Sequence, residues 1–307
     1  MRRQRATILG AGAMGTLFAE RLATCCDVWL VDIRPELVAA IEARGGVALD
    51  DGSVRPARAT TDPLRAAASD FLFVFVKAHN TLGALRPYAG QLDPAMPIVS
   101  LQNGLGNDRA IKAALGSNVP LALGVTDEYA LALGPGHSRR VGIGSTIVGS
   151  AGASTETVRA VVELLQSVGL ETRSAYDIRP HLWGKLIVNA ALNPVAALVD
   201  GPNGVVAAGE HAGELARALA AEGAAVARAH HVNLPFADPW AYVRATALAS
   251  AELRNSLAID LALGVRTEID SVNGAIVAAG RRVGVPTPYN EAVLRLVKAR
   301  EEAQSAR

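Results

Sequence analysis

Apolar positions in the first half of the chain fall in short runs separated by amphipathic stretches. Residues 6–9, 28–31, 71–76, 98–101 and 121–125 form runs short and apolar enough to read as strands buried on both faces. Between them, residues 14–23, 35–44, 81–90 and 108–115 carry helical spacing, which is the βαβ alternation of a parallel sheet. Two further strands at 139–143 and 146–148 flank a Gly-rich turn, and a helix near 156–167 leads to a last strand near 171–173. After Ala175 the period changes to that of helices alone, at 179–192, 210–231, 238–248, 257–263, 268–283 and 288–304. The pattern predicts an α/β Rossmann-type domain over 1–175, a parallel sheet with helices on both faces, followed by an all-α domain over 176–307.

The first strand runs into Gly10-Ala11-Gly12-Ala13-Met14-Gly15, a G-x-G-x-x-G loop opening a helix. Gly10 permits the tight turn, Gly12 lets backbone approach a pyrophosphate, and Gly15 lets helix and strand pack closely. The first helical residues, Ala13 and Met14, present free N–H groups and a partial positive charge to phosphate. The second strand ends at Asp32, 22 residues beyond Gly10, the offset of a carboxylate that accepts from an adenosine ribose. Such a carboxylate repels a 2′-phosphate and favours NAD(H) over NADP(H). Two other readings stay open: Asp32 begins the loop before the helix at Pro35, or Arg34 turns in to pair with a phosphate.

Composition narrows the partners. Thirty Lys and Arg against 29 Asp and Glu leave a net charge of +1, so no overall field recruits nucleic acid or an anionic membrane. The longest uncharged stretch, 141–155, is Gly-rich and shorter than a membrane span. The basic start Met1-Arg2-Arg3-Gln4-Arg5 before an apolar run imitates a secretory signal, but the run carries glycines and ends in Glu20-Arg21 without a small-residue cleavage pattern. The only cysteines, Cys25 and Cys26, are adjacent; that spacing makes neither a disulfide framework nor a zinc site, and it fits a reducing cytoplasm. No metal is expected. The six histidines read as structural or solvated, and no tyrosine has a lysine four positions on.

In the helical half, Lys185, Asn189 and Asn193 are spaced by four, a polar line on a segment whose other positions are apolar. A lysine there either snorkels to solvent or has a chemical task. Thr267-Glu268-Ile269-Asp270 reads as a helix start, with Thr267 as N-cap and Asp270 in the cap.

Several segments together resemble the ketopantoate reductase (2-dehydropantoate 2-reductase) family over nearly the whole chain. They are the glycine loop, Val76-Lys77-Ala78, Ser100-Leu101-Gln102-Asn103-Gly104, Trp183-Gly184-Lys185-Leu186-Ile187-Val188-Asn189, Asn193-Pro194, Pro202-Asn203-Gly204 and Arg266-Thr267-Glu268-Ile269-Asp270. The resemblance implies an NAD(P)-dependent oxidoreductase that reduces a small 2-oxo acid, with ketopantoate the first substrate to test. It implies that Lys185 donates the proton and that Glu268 orients Lys185 or binds substrate. It further implies that Ser256 holds the substrate carboxylate, that Asn189, Asn193 and Asn203 hold the oxo acid, that Asn103 lies near the nicotinamide, and that Lys77 contacts a phosphate.

The chain departs from the family pattern at Leu253, where an Asn is usual, and at Asp32-Ile33, where an Arg for the 2′-phosphate is common. Asp127-Glu128 replaces small and hydroxyl residues expected near substrate. These departures keep a second reading open, an NAD-dependent D-2-hydroxyacid dehydrogenase on the same scaffold. A third is a dinucleotide-sensing protein without turnover, against which the Lys185 and Glu268 pair speaks. The apolar helical half offers material for a homodimer interface.

Overall fold

The computed structural model describes residues 3–305; Met1 and Arg2 of the basic start lie outside them. The chain divides into two compact units, one running up to Gln102 and resuming over Asn107–Ile178, the other made of Asn103–Gly106 and everything from Arg179 onward.

In the first unit the strands are β1 (Gln4–Leu9), β2 (Cys26–Val31), β3 (Gly46–Ala48), β4 (Val54–Pro56), β5 (Arg58–Thr60), β6 (Phe71–Val74), β7 (Ile98–Ser100), β8 (Leu121–Thr126), β9 (Tyr129–Gly134), β10 (His137–Gly142), β11 (Thr146–Ser150) and β12 (Thr172–Ala175). The helices between them are α1 (Ala13–Leu22), α2 (Pro35–Arg44), α3 (Thr81–Leu85), α4 (Asn107–Leu115) and α5 (Thr155–Ser167). One sheet has the order β12-β11-β8-β7-β6-β1-β2-β5, parallel throughout except where β11 runs against β8. The strand order reverses between β1 and β6, since the chain builds outward to β5 and returns to start β6 on the other side of β1. In such sheets the crevice at the carboxyl ends of the two strands is where ligands bind. The strands flanking it are dry: Ile8, Phe73 and Val74 have no exposed surface.

The short strands β3, β4 and β5 and the strand β9 were not expected. Three-residue strands hold too few alternations to give a period. β3, β4, β9 and β10 form a second sheet, ordered β4-β3-β10-β9, against which α1 packs. Here Glu128 is spoken for: its side chain is fully buried and takes both Nε (2.5 Å) and Nη2 of Arg140 on β10. The expected helix 81–90 gives way after Leu85 to a tighter turn over Arg86–Tyr88.

The second unit is helical: α6 (Arg179–Leu198), α7 (Gly204–Ala208), α8 (Glu210–Ala229), α9 (Pro239–Ala249), α10 (Ser256–Ala262), α11 (Asn273–Val283) and α12 (Pro288–Ser305). Ile187 of α6 packs on α8 where Gly223 leaves room; a Cβ there would lie 3.0 Å from the Ile187 side chain. The expected end of α6 at Leu192 is corrected, because the helix continues through Pro194 to Leu198. Proline lacks the N–H that would bond the Ala190 carbonyl. Asn273, fully buried at the start of α11, supplies the donor instead, its Nδ2 lying 3.0 Å from that oxygen. The expected helix start at Thr267 is also corrected: α11 begins at Asn273, and Thr267 Oγ1 accepts from the Ile269 N–H within a turn. Asp270 caps nothing and pairs with Arg266 and Lys298 at 3.1 and 3.0 Å. Among the described residues no helix is long and apolar enough to cross a membrane.

Candidate active site

The glycine loop sits at the carboxyl end of β1. Gly10 has φ +103°, and a Cβ on it would lie 2.7 Å from the Val76 nitrogen, so the segment after β6 runs directly against the loop. A Cβ on Gly15 would strike the Gly10 carbonyl. Gly12 differs, because nothing lies within 4 Å of where its Cβ would be. It is exposed, precedes α1, and offers no side-chain cap, so the first N–H groups of α1 stay available to an anion. Lys77 follows Val76 and is half-buried. Gln102 secures this segment: buried at the end of β7, it donates from Nε2 to the Val76 carbonyl (2.5 Å) and to Thr81 Oγ1 (2.8 Å). Sequence reasoning quoted Gln102 without giving it a task, although a buried carboxamide needs partners.

Asp32 lies at the end of β2 with its side chain 8% exposed. Its Oδ2 accepts from the Ala11 N–H at 2.9 Å, which ties it to the glycine loop. Arg34 closes on it with two parallel bonds, Nε to Oδ1 at 2.8 Å and Nη2 to Oδ2 at 2.9 Å. Burial alone would raise the Asp32 carboxyl, but the bonds from Arg34 and Ala11 outweigh it and hold the group below the usual carboxylate range. Arg34 is thus turned in upon Asp32, its guanidinium engaged by the carboxylate.

In the second unit, Asn189 and Asn193 of α6 line a small pocket together with Ser256 and Asp260 of α10. Asn103 joins them from the strap Asn103–Gly106, accepting from Asn189 Nδ2 at 3.5 Å. The strap is seated by Gly104, whose φ of +85° and contact with the Ser271 carbonyl leave no room for a side chain, and by the bond from Leu105 N–H to Ser271 O at 3.1 Å. Glu268 enters from the turn before α11, and Leu257 and Val272 supply the apolar part of the wall. That turn is fastened to α12 twice, by Thr267 N–H on Glu301 Oε1 at 2.8 Å and by Asp270 on Lys298.

Lys185 and Asn203 are not among the lining residues. Lys185 is half-buried on α6, one turn before Asn189 on the same face. Asn203 is buried away from the pocket, where its Oδ1 accepts from Asn255 Nδ2 (3.0 Å) and its Nδ2 donates to Ser250 (3.0 Å). Asn255, which the sequence reading passed over, caps α10 by accepting from the Ala258 N–H at 3.0 Å and reaches the Asn193 carbonyl at 3.3 Å. It thus fixes the helix carrying Ser256 against the one carrying Asn193. The Asn-Ser dipeptide at the head of a predicted helix was the available signal.

A dinucleotide loop at the switch point of a parallel sheet, with a helical unit bearing a carboxamide-lined pocket, defines an NAD(P)-dependent oxidoreductase of the kind acting on CH–OH groups. Residues 6–153 match the family model described as ketopantoate reductase PanE/ApbA, and residues 177–301 match its C-terminal model. The chain belongs to the ketopantoate reductase family. It is 34% identical to a 2-dehydropantoate 2-reductase of Archaeoglobus fulgidus over 98% of this chain and 99% of that one. Among solved structures it is similar to a PanE/ApbA family ketopantoate reductase from Ralstonia eutropha, with a TM-score of 0.89 and 32% identity over 98% of this chain and 99% of that chain. It is also similar to a D-mandelate dehydrogenase in complex with NADH, with a TM-score of 0.87 and 25% identity over 97% and 99% of the two chains.

Proposed function

We propose that this protein reduces ketopantoate to pantoate, using NADH in preference to NADPH, with Lys185 as the proton donor. The carrying observation is the convergence of Asn103, Asn189, Asn193, Ser256 and Glu268 on one pocket from stretches far apart in sequence, on the face of α6 that Lys185 shares. The residues of the first unit fit the cofactor: the position of the missing Gly12 Cβ is open space beside uncapped helix N–H groups. When bound, the reduced nicotinamide supplies a hydride to the substrate's carbonyl carbon.

The chain does the rest. Ser256 Oγ donates to the substrate carboxylate, the carboxamides of Asn189 and Asn193 bind carbonyl and carboxylate oxygens without adding charge, and Asn103 lies near the nicotinamide. The Lys185 ammonium gives a proton to the oxygen as negative charge develops there, and Glu268 orients that ammonium. Asn203 supports the pocket at one remove, through Asn255. Residues 1–175 serve the dinucleotide and 176–307 the acid. Asp32 faces the ribose; a 2′-phosphate would have to part Arg34 from a bidentate partner while approaching a carboxylate. One alternative has its own support: Leu253 in place of a polar residue, together with the D-mandelate dehydrogenase likeness, favours an NAD-dependent D-2-hydroxyacid dehydrogenase of broader substrate range.

Steady-state kinetics with ketopantoate and phenylglyoxylate, each with NADH and NADPH, test these readings. Ketopantoate with NADH is expected to give the highest kcat/KM, and Lys185→Ala to lower kcat by about 10²-fold or more with little change in dinucleotide affinity. Preference for phenylglyoxylate transfers the assignment to the alternative, preference for NADPH overturns the use made of Asp32, and an unchanged kcat removes Lys185 from the mechanism.

A further inference from the structure

Two residues of the pocket reach it from irregular backbone: Asn103 from the strap Asn103–Gly106 and Glu268 from the turn before α11. Neither piece is a helix or a strand, so no regular ladder of hydrogen bonds fixes where its side chain stands. Both pieces are fastened to Ser271. On one side the Glu268 carbonyl accepts from the Ser271 N–H at 3.0 Å, from Ser271 Oγ at 2.9 Å and from the Val272 N–H at 3.1 Å. On the other side the Ser271 carbonyl accepts from the Leu105 N–H at 3.1 Å.

The strap side of this joint requires a residue without a side chain. A Cβ on Gly104 would lie 2.9 Å from the carbonyl carbon and from the Cβ of Ser271, and closer still to its oxygen. One partner would have to give way. Ser271 is held to Glu268 by both its N–H and its hydroxyl, so the strap is the piece that would shift. Asn103, the next residue back along the chain, would shift with it. Its bond from Asn189 Nδ2 is 3.5 Å long, at the outer limit of hydrogen-bond reach, and leaves no slack for such a movement.

We infer that Ser271 is a positioning residue: it joins the Glu268 turn to the Gly104 seat, so that the spacing between Glu268 and Asn103 across the pocket is set by one residue. It acts through those two and not by touching substrate. This rests on the reaction proposed above, in which Asn103 serves the nicotinamide and Glu268 the proton donor. Hydride and proton are delivered to the two ends of one carbonyl bond, so an error in that spacing falls on the chemical step more than on dinucleotide affinity. A misplacement of about 1 Å can cost about 10²-fold in rate.

The experiment compares the full-length wild type with Gly104→Ala, Ser271→Ala, Ser271→Thr and Gly284→Ala in kcat and KM for ketopantoate and phenylglyoxylate, in NADH affinity and in melting temperature. Gly284 is the control for backbone strain, since its φ is +71° and nothing lies within 4 Å of where its Cβ would be. Gly104→Ala should lower kcat about tenfold or more on whichever acid the wild type prefers, with NADH affinity within about threefold. Gly284→Ala should lose melting temperature and keep its kcat. Ser271→Ala removes the hydroxyl donor to the Glu268 carbonyl and should lower kcat about threefold, and Ser271→Thr, which returns a hydroxyl, should recover it. That pair carries the test should Gly104→Ala fold poorly. A kcat within about twofold of wild type in every folded variant at 104 and 271, or an equal fall in Gly284→Ala, overturns the role of Ser271 and leaves the reductase reading standing. Failure of the wild type to reduce either acid with either dinucleotide overturns the reductase reading itself, and this inference with it.

Discussion

Asp32 and Glu20 are carboxylates largely withdrawn from water, with 8% and 17% of their side chains exposed, yet they titrate in opposite directions. At Asp32 the direct bonds from Arg34 and Ala11 overcome burial, so its contribution to stability is present above the carboxylate range and fades as pH falls through its lowered value. At Glu20 burial is the largest influence and wins over Arg21, Arg55 and Arg140, the nearest of which, Arg21 Nε, stands 3.8 Å away. Its carboxyl is therefore raised above 4.5, the folded chain holds that proton more tightly than the unfolded one, and the associated stability is lost as pH climbs from the usual glutamate range. Replacing Glu20 with Gln should raise the melting temperature at pH 7 by ~1–2 °C and leave it nearly unchanged at pH 4, as followed by circular dichroism. A lower melting temperature at pH 7 would mean that the guanidinium groups outweigh burial.

The glycine turn, taken as an element, separates folding from binding. Gly15 touches the Gly10 carbonyl, whereas Gly12 faces empty space. Gly15→Ala should then lower the melting temperature by roughly 3–10 °C. Gly12→Ala should leave it within about 1 °C of wild type and weaken NADH binding about tenfold or more, measured by fluorescence titration. Equal effects on both quantities at both positions would remove the distinction. A second element-level coupling joins α6 to α11, where Asn273 supplies the hydrogen bond that Pro194 cannot. Asn273→Ala should destabilise the wild type by about 2 kcal/mol and do noticeably less harm in a Pro194→Ala background, whose restored amide serves Ala190 directly. Denaturant unfolding of the four proteins gives the coupling energy, and an additive cycle would refute the substitution of one donor for the other.

Over the whole molecule, what could be read from the chain beforehand followed from the length of each signal. β1, the glycine loop, α1 and β2 form one uninterrupted pattern, and the line Lys185, Asn189, Asn193 repeats often enough to place three residues on one face of α6. Shorter signals were lost. β3 and β5 are three residues each, Pro194 argued for a helix end that Asn273 prevents, and Thr267 imitates an N-cap while its N–H is held by Glu301. Asp260 drew no notice, since nothing in Ile259-Asp260-Leu261 shows that it lines a pocket. Asn255 drew no notice beside the departure at Leu253, although it is Asn255 that organises α10.

The strap Asn103–Gly106 belongs by compactness to the helical unit but is encoded some seventy residues ahead of it, inside the α/β half. On the ribosome, Asn103 and the Gly104 seat are therefore made long before the surface that Gly104 meets at Ser271. A gene segment cut at the obvious seam after Ile178 would carry the helices away without one wall of their own pocket. The two halves have for that reason to be inherited as a pair, and a recombinant that exchanges the helical cassette between relatives must match residues 103–106 to the incoming partner.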